Sequence, residues 1–204
     1  MREHISVKKR ENPDCIIDLP SITLEVGIGK ERRSIVNFYY REWTNSISGD
    51  RSVTSQYERF QRQVNYWRAL RSEDRDLILL GDANFCLQAC FKSEYPPDLS
   101  SIANVANDFY LQESMFQLIN EPTRSSYYGD VVIRSCLDHI TTNVPNKCCN
   151  TAVLVGGNSD HLAVMTTKKS REVNSTPSLV RKEVTRDSIL EIFYSKLCTL
   201  ILVQ

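Results

Sequence analysis

Five short stretches of this chain carry side chains suited to hydrolytic chemistry. Asp82 and Asn84 stand two residues apart in Gly81-Asp82-Ala83-Asn84, directly behind the apolar run Leu77 to Leu80. A carboxylate beside an amide supplies one anionic acceptor and one neutral donor and acceptor, a pair that can orient a water next to a phosphate. The carboxyl end of a buried strand is where ligands bind in open α/β sheets, although the tetrad alone reads more readily as a turn closing a strand. Asp160 and His161 follow a Gly-Gly-Asn-Ser stretch, and Asp138 sits with His139 in Leu137 to Ile140. A charge on the buried face of a strand requires a partner, and a histidine is the obvious one. Tyr40 closes another apolar segment as Tyr40-Arg41-Glu42, and Thr123 follows Pro122.

The elements that must position these residues follow from periodicity. Ile22 to Val26 alternates apolar and polar side chains and ends at Gly27-Ile28-Gly29, so it reads as a strand whose hairpin partner is Ser34 to Tyr40. Val53, Tyr57, Phe60, Val64, Trp67 and Leu70 recur at three- and four-residue steps, the stripe of an amphipathic helix. Leu77 to Leu80 is a short buried strand. A loop with Pro96-Pro97 leads to Ser100 as N-cap of a second helix, with Val105, Phe109, Leu111, Met115 and Leu118 facing a core. Cys136 to Thr142, Ala152 to Val155 and Leu162 to Thr167 read as short strands. From Lys168 the composition turns polar, which suits a linker to about Val180. Ile189, Ile192, Phe193, Leu197 and Leu200 then suggest a terminal helix over 184–203. The domain reading is a polar segment 1–14, a mixed α/β domain 15–171, and a linker with terminal helix 172–204.

Composition narrows the class without deciding it. Lys plus Arg equals Asp plus Glu at 25 each, so no global positive field favours nucleic acid, and any such attraction is local or depends on a bound cation. The seven cysteines are odd in number and lack C-x-x-C pairs, which argues against a zinc site or a disulfide framework. No apolar run approaches the roughly 20 residues that span a bilayer. A soluble protein of a reducing compartment, nucleus or cytoplasm, is expected.

The order of the motifs adds what none gives alone. Tyr40-Arg41-Glu42, Gly81-Asp82-Ala83-Asn84, Pro122-Thr123, Leu137-Asp138-His139-Ile140 and Ser159-Asp160-His161 together resemble the endonuclease/exonuclease/phosphatase superfamily. Thr123-Arg124-Ser125 and Leu137 to Asn143 look, more narrowly, like the endonuclease of jockey-type non-LTR retrotransposons. The resemblance implies an α/β (α+β) deoxyribonuclease I-like four-layer sandwich, two mixed sheets flanked by helices. It implies hydrolysis of DNA phosphodiesters with Mg²⁺ or Mn²⁺, and a reverse transcriptase domain elsewhere in the parent element. His161 would contact the scissile phosphate, with Asp138 orienting it. Asp82 would align the attacking water, and Asn84 would lie beside the phosphate. Asp160 would lie near the metal, Tyr40 would reach a phosphate oxygen, and Thr123 would support the site.

Two parts of that family pattern have no counterpart in the sequence: an opening strand with an asparagine, and a second with the glutamate that is the principal metal ligand. Glu3, Glu11 and Asn12 lie in no apolar strand. The expectation is a partial domain lacking its first strands, with impaired catalysis. Two alternatives stand beside it: a non-catalytic remnant with at most weak DNA binding, and a phosphatase of the same superfamily acting on a phosphoinositide or another phosphomonoester.

Overall fold

The computed structural model describes residues 5–11, 13, 20–28, 33–42, 49, 52–86, 97–154, 159–169 and, for the backbone, 199–203. In chain order its elements are β1 (Ile5–Arg10), β2 (Ser21–Ile28), β3 (Ser34–Tyr40), α1 (Val53–Arg71), β4 (Leu77–Asp82) and α2 (Pro97–Gln112). There follow β5 (Phe116–Gln117), β6 (Arg124–Tyr128), β7 (Val131–Ser135), β8 (Asp138–Thr142), β9 (Cys148–Leu154), β10 (Ala163–Lys168) and β11 (Thr199–Val203).

The apolar run in β4 makes it the centre of the molecule, because every one of its residues is buried. It lies in a six-stranded sheet of order β1-β2-β3-β4-β8-β5, parallel to β3 and antiparallel to β8. Side chains alternate across a strand, so β4 serves two cores. Leu77 and Leu79 join Trp67, Val64, Phe60, Phe109 and Ile102 of the two helices. Ile78 and Leu80 face the other way and pack with Val36, Ile140 and Val164, the last from a three-stranded sheet of order β11-β10-β9. The layers are therefore helices, large sheet, small sheet. The fourth layer, helices on the outer face of the small sheet, is not found among the described residues.

Local chemistry explains the elements. Ser52 caps α1 by accepting a hydrogen bond from the Ser55 amide at 3.2 Å, and its apolar stripe buries Phe60, Val64, Trp67 and Leu70. Trp67 Nε1 donates to Asn37 Oδ1 at 2.9 Å, and Asn37 Nδ2 donates to Thr23 Oγ1, so a buried polar chain fixes the helix on the sheet. At Gly81 an added Cβ would lie 1.9 Å from the Tyr39 carbonyl oxygen, so β3 and β4 meet there only because the side chain is absent.

Several expectations need correction. Within the segment read as polar, Ile5–Arg10 forms edge strand β1, antiparallel to β2. α2 starts at Pro97, not Ser100, and Leu111 is 73% exposed instead of facing the core; Ile102, Ala106 and Tyr110 are buried in its place. Lys168 ends β10 with its ammonium on Asp76 and Ser34 and so is no linker residue. Thr199–Val203 pairs in parallel with β10 as a strand, where a helix was expected. The rest of the expected linker and terminal helix lies outside the described residues.

Candidate functional site

The strand register puts three of the sequence-picked residues in one row. Tyr40 of β3 pairs with Asp82 of β4, and Asp82 pairs with Asp138 of β8. Residues directly opposite share a face, and here it is the face that carries Leu80 and Ile140 towards the small sheet. The row lies at the carboxyl end of β4, where its backbone ladder is extended by the Ala83 amide donating to the Leu137 carbonyl at 2.8 Å.

His161 reaches the row from the second sheet, immediately before β10. Its Nδ1 lies 2.9 Å from Asp138 Oδ2, with both side chains buried. Asp82, Asp138 and His161 each offer a ligand atom within 4.8 Å of the others. With Nδ1 donating its proton to the carboxylate, Nε2 is the ring nitrogen turned away from Asp138. The hydrogen bond to the Asp138 carboxylate raises the His161 pKa above its ordinary value, against the opposing effect of burial. Asp82 is pushed up to about 6, first by burial and then by the Asp138 charge opposite it, with His161, the Asn84 amide and Arg41 pulling the other way.

Thr123 is fully buried and ties the parts together. Its Oγ1 accepts from the Leu137 and Asp138 amides at 3.0 and 3.1 Å, and its carbonyl accepts from the Leu162 amide at 2.7 Å. One side chain thus aligns the start of β8 while its backbone holds the entrance to β10, one residue beyond His161.

Asn84 and Asp160 sit differently. Asn84 adopts φ +51°, a left-handed conformation that asparagine tolerates, and its amide N–H donates to Asp82 Oδ1 at 2.9 Å. Its Nδ2 donates to the Arg41 carbonyl at 2.7 Å, which commits one donor of the side chain to the turn. Asp160 is 59% exposed and its Oδ2 accepts from Arg124 Nε at 2.9 Å; it is not among the three clustered ligand atoms. Tyr40 is partly buried, and its hydroxyl is raised above its ordinary pKa by burial and by Asp82, with a hydrogen bond to Asn84 opposing.

Arg41 was read only as part of a motif, yet it holds the turn that presents Asp82. Its Nε and Nη2 donate to the carbonyls of Ala83 and Asn84 at 2.6 and 2.8 Å, and its own amide donates to the Asp82 carbonyl at 2.9 Å. Burial lowers its pKa to about 10, so it remains charged at neutral pH. An arginine directly after a strand was visible in the sequence; its burial was not. His139 is the opposite case. It points into the helix-side core, its ring centroid 5.3 Å from that of Phe85, and burial lowers its pKa to about 4, so it is a neutral core residue.

Comparison with solved structures places this architecture. An AP endonuclease from Archaeoglobus fulgidus superposes with a TM-score of 0.50 at 14% identity, covering 69% of this chain and 62% of the archaeal one. The fold is deoxyribonuclease I-like. The endonuclease domain of TRAS1, a telomere-specific non-LTR retrotransposon, matches with a TM-score of 0.49 at 15% identity over 78% of this chain and 77% of that domain. No protein-family model and no curated protein sequence matches the chain. Identities this low establish the deoxyribonuclease I-like architecture alone, and the chemistry has to be argued from the side chains.

Proposed function

We propose that the chain is a cation-dependent phosphodiesterase acting on DNA, of the kind non-LTR retrotransposons use to nick their targets. The observation that carries the proposal is the Asp138–His161 hydrogen bond set beside Asp82, two carboxylates and an imidazole within 4.8 Å at the carboxyl end of a buried strand. The retrotransposon assignment is supported by the motif order.

In this reading Asp138 fixes the His161 tautomer, and His161 Nε2 donates a hydrogen bond to a phosphoryl oxygen as negative charge builds there. Asp138 raises the proton affinity of His161, which favours the protonated ring that this bond needs. A water aligned for in-line attack gives its proton to Asp82 as its oxygen bonds to phosphorus, and the phosphorus–O3′ bond breaks, the leaving oxygen taking a proton from solvent to become a 3′ hydroxyl. In the cation-free protein Asp82 has a pKa of about 6 and is mostly ionised at neutral pH, able to accept that proton. Tyr40 and Asn84 flank the attacked phosphate and Thr123 keeps the dyad aligned.

The donor set fits a hard divalent cation, which the carboxylates of Asp82 and Asp138 would hold. When bound, Mg²⁺ or Mn²⁺ would neutralise charge on the phosphoryl oxygens and the leaving oxygen. Two carboxylates, one already bonded to a histidine, hold such an ion weakly. Turnover is therefore slow, and faster with Mn²⁺, because Mg²⁺ dehydrates reluctantly and demands near-ideal octahedral geometry.

A hairpin beside the site supports a large substrate. β6 and β7 leave the site at Thr123 and expose Tyr127, Tyr128, Val131, Val132 and Ile133, an apolar ribbon facing solvent. Supercoiled plasmid and a short-chain phosphoinositide, offered in parallel with Mn²⁺, test the substrate class. Nicked circles without phosphate release are expected; phosphate release from the phosphoinositide alone would support the phosphatase reading, and no turnover of either would support a non-catalytic remnant.

A further inference from the structure

We infer that Arg124 is a substrate-contacting residue that binds a DNA backbone phosphate at the rim of the site; the inference rests on the DNA reading above. Arg124 opens β6 directly after Thr123, and its backbone forms an antiparallel bridge with His161. Bridged residues lie within about 5.5 Å at their Cα atoms, so the position is fixed by the same framework that fixes the histidine.

The side chain is held as well. Nε donates to Asp160 Oδ2 at 2.9 Å, while the side chain is 34% exposed. Among the described residues the structure gives Arg124 no further hydrogen bond, so its two terminal nitrogens are left to face an incoming group. That is the donor pair which matches a phosphate with two parallel hydrogen bonds. Arg41, the other guanidinium near the turn, is buried with Nε, Nη1 and Nη2 donating to Ala83, Gln56 and Asn84.

Electrostatics supplies a need for such a group. Asp82 and Asp138 confront each other across the ladder, so a phosphodiester approaching His161 is repelled by two carboxylates. A cation anchored next to His161 at the exposed rim offsets that repulsion where the strand enters. The competing view is an ordinary surface ion pair, which adds little stability and has no consequence for binding. Asp160, expected beside a metal, acts in this arrangement as the residue that keeps the Arg124 guanidinium in place.

Binding can be read without catalysis. Full-length protein carrying His161→Ala, in EDTA, is titrated into a fluorescent 24-base-pair duplex and followed by anisotropy between low and moderate salt. Adding Arg124→Ala should weaken affinity about five- to twentyfold and reduce the slope of log affinity against log salt by about one, the loss of one phosphate contact. Arg124→Lys, which keeps the charge, should retain the slope and lose only part of the affinity. A slope and affinity unchanged by Arg124→Ala in a protein that does bind the duplex would overturn the inference alone. Absence of any binding by the parent protein would overturn the DNA reading and the inference with it.

Discussion

Replacing Asp82 by asparagine should make the cation-free protein more stable at neutral pH. Asp82 is 3% exposed and directly opposite Asp138, and its pKa is pushed from 3.8 to about 6. That rise corresponds to about 3 kcal/mol, at about 1.4 kcal/mol per tenfold change in proton affinity. The folded state keeps a proton that the unfolded chain releases, so stability falls as pH climbs from about 4 to about 6, and the full cost persists above that. Asparagine has the same shape, can still accept the Asn84 amide, and carries no charge. Its second donor must be accommodated, so the net gain at pH 7.5 should be about 1–3 kcal/mol, a rise in melting temperature of about 3–10 °C for a chain of this size. Urea denaturation of both proteins at pH 7.5 and 4.5 measures it, and the gap should shrink at the lower pH, where Asp82 is largely protonated. Added Mn²⁺ should stabilise the parent and not the variant. A variant no more stable than its parent at pH 7.5, or a gap independent of pH, would refute the reasoning.

Asp76 works in the other direction. Burial would raise its carboxyl, but the hydrogen bonds from Lys147 and Lys168 outweigh it and the pKa lies below the ordinary value. Its contribution is full above about 4 and is lost as pH falls through the lower folded value, so Asp76→Asn should cost about 1–2 kcal/mol at pH 7 and progressively less as the pH is lowered below the ordinary carboxylate value, as read by urea melts. Gly81→Ala places a methyl 1.9 Å from the Tyr39 carbonyl and should cost about 3 kcal/mol or more, seen as loss of cooperative unfolding or a sharp fall in urea midpoint. Thr123→Val keeps the shape but removes the acceptor of two buried amides, so about 1–3 kcal/mol of stability should be lost, together with the downfield Nδ1 proton signal of His161 in nuclear magnetic resonance.

The legible parts of the fold were those where burial leaves a pattern. Leu77 to Leu80 is uniformly apolar because β4 is covered on both faces, and the stripe from Phe60 to Leu70 records one helix face on the sheet. Asp82, Asp138 and His161 could be chosen because their motifs stand in a recognisable order, and the register then brings them together. Edges were harder to read. β1 has Lys8, Lys9 and Arg10 with Ile5 and Val7 exposed, so no buried face marks it as a strand. The β6–β7 hairpin hid for the same reason, although Gly129 at φ +59° between Tyr127-Tyr128 and Val131-Val132-Ile133 was a usable turn signal. Thr199–Val203 is a run of five that suits strand as well as helix, and only pairing with β10 decides it. Polar partnerships across the fold, such as Arg41 with Ala83 and Asn84, have no sequence period and become visible only in the structure.

The central claim is that the Asp138–His161 dyad and Asp82 form one phosphodiesterase centre, and plasmid nicking tests it most directly. Relaxation of supercoiled plasmid by the full chain should be slow in millimolar Mg²⁺, faster in Mn²⁺ and abolished by EDTA. His161→Ala and Asp82→Ala should each reduce the Mn²⁺ rate at least about a hundredfold, the scale of a lost general acid or base. Nicking that survives both substitutions at the parent rate, or that continues undiminished in EDTA, would contradict it.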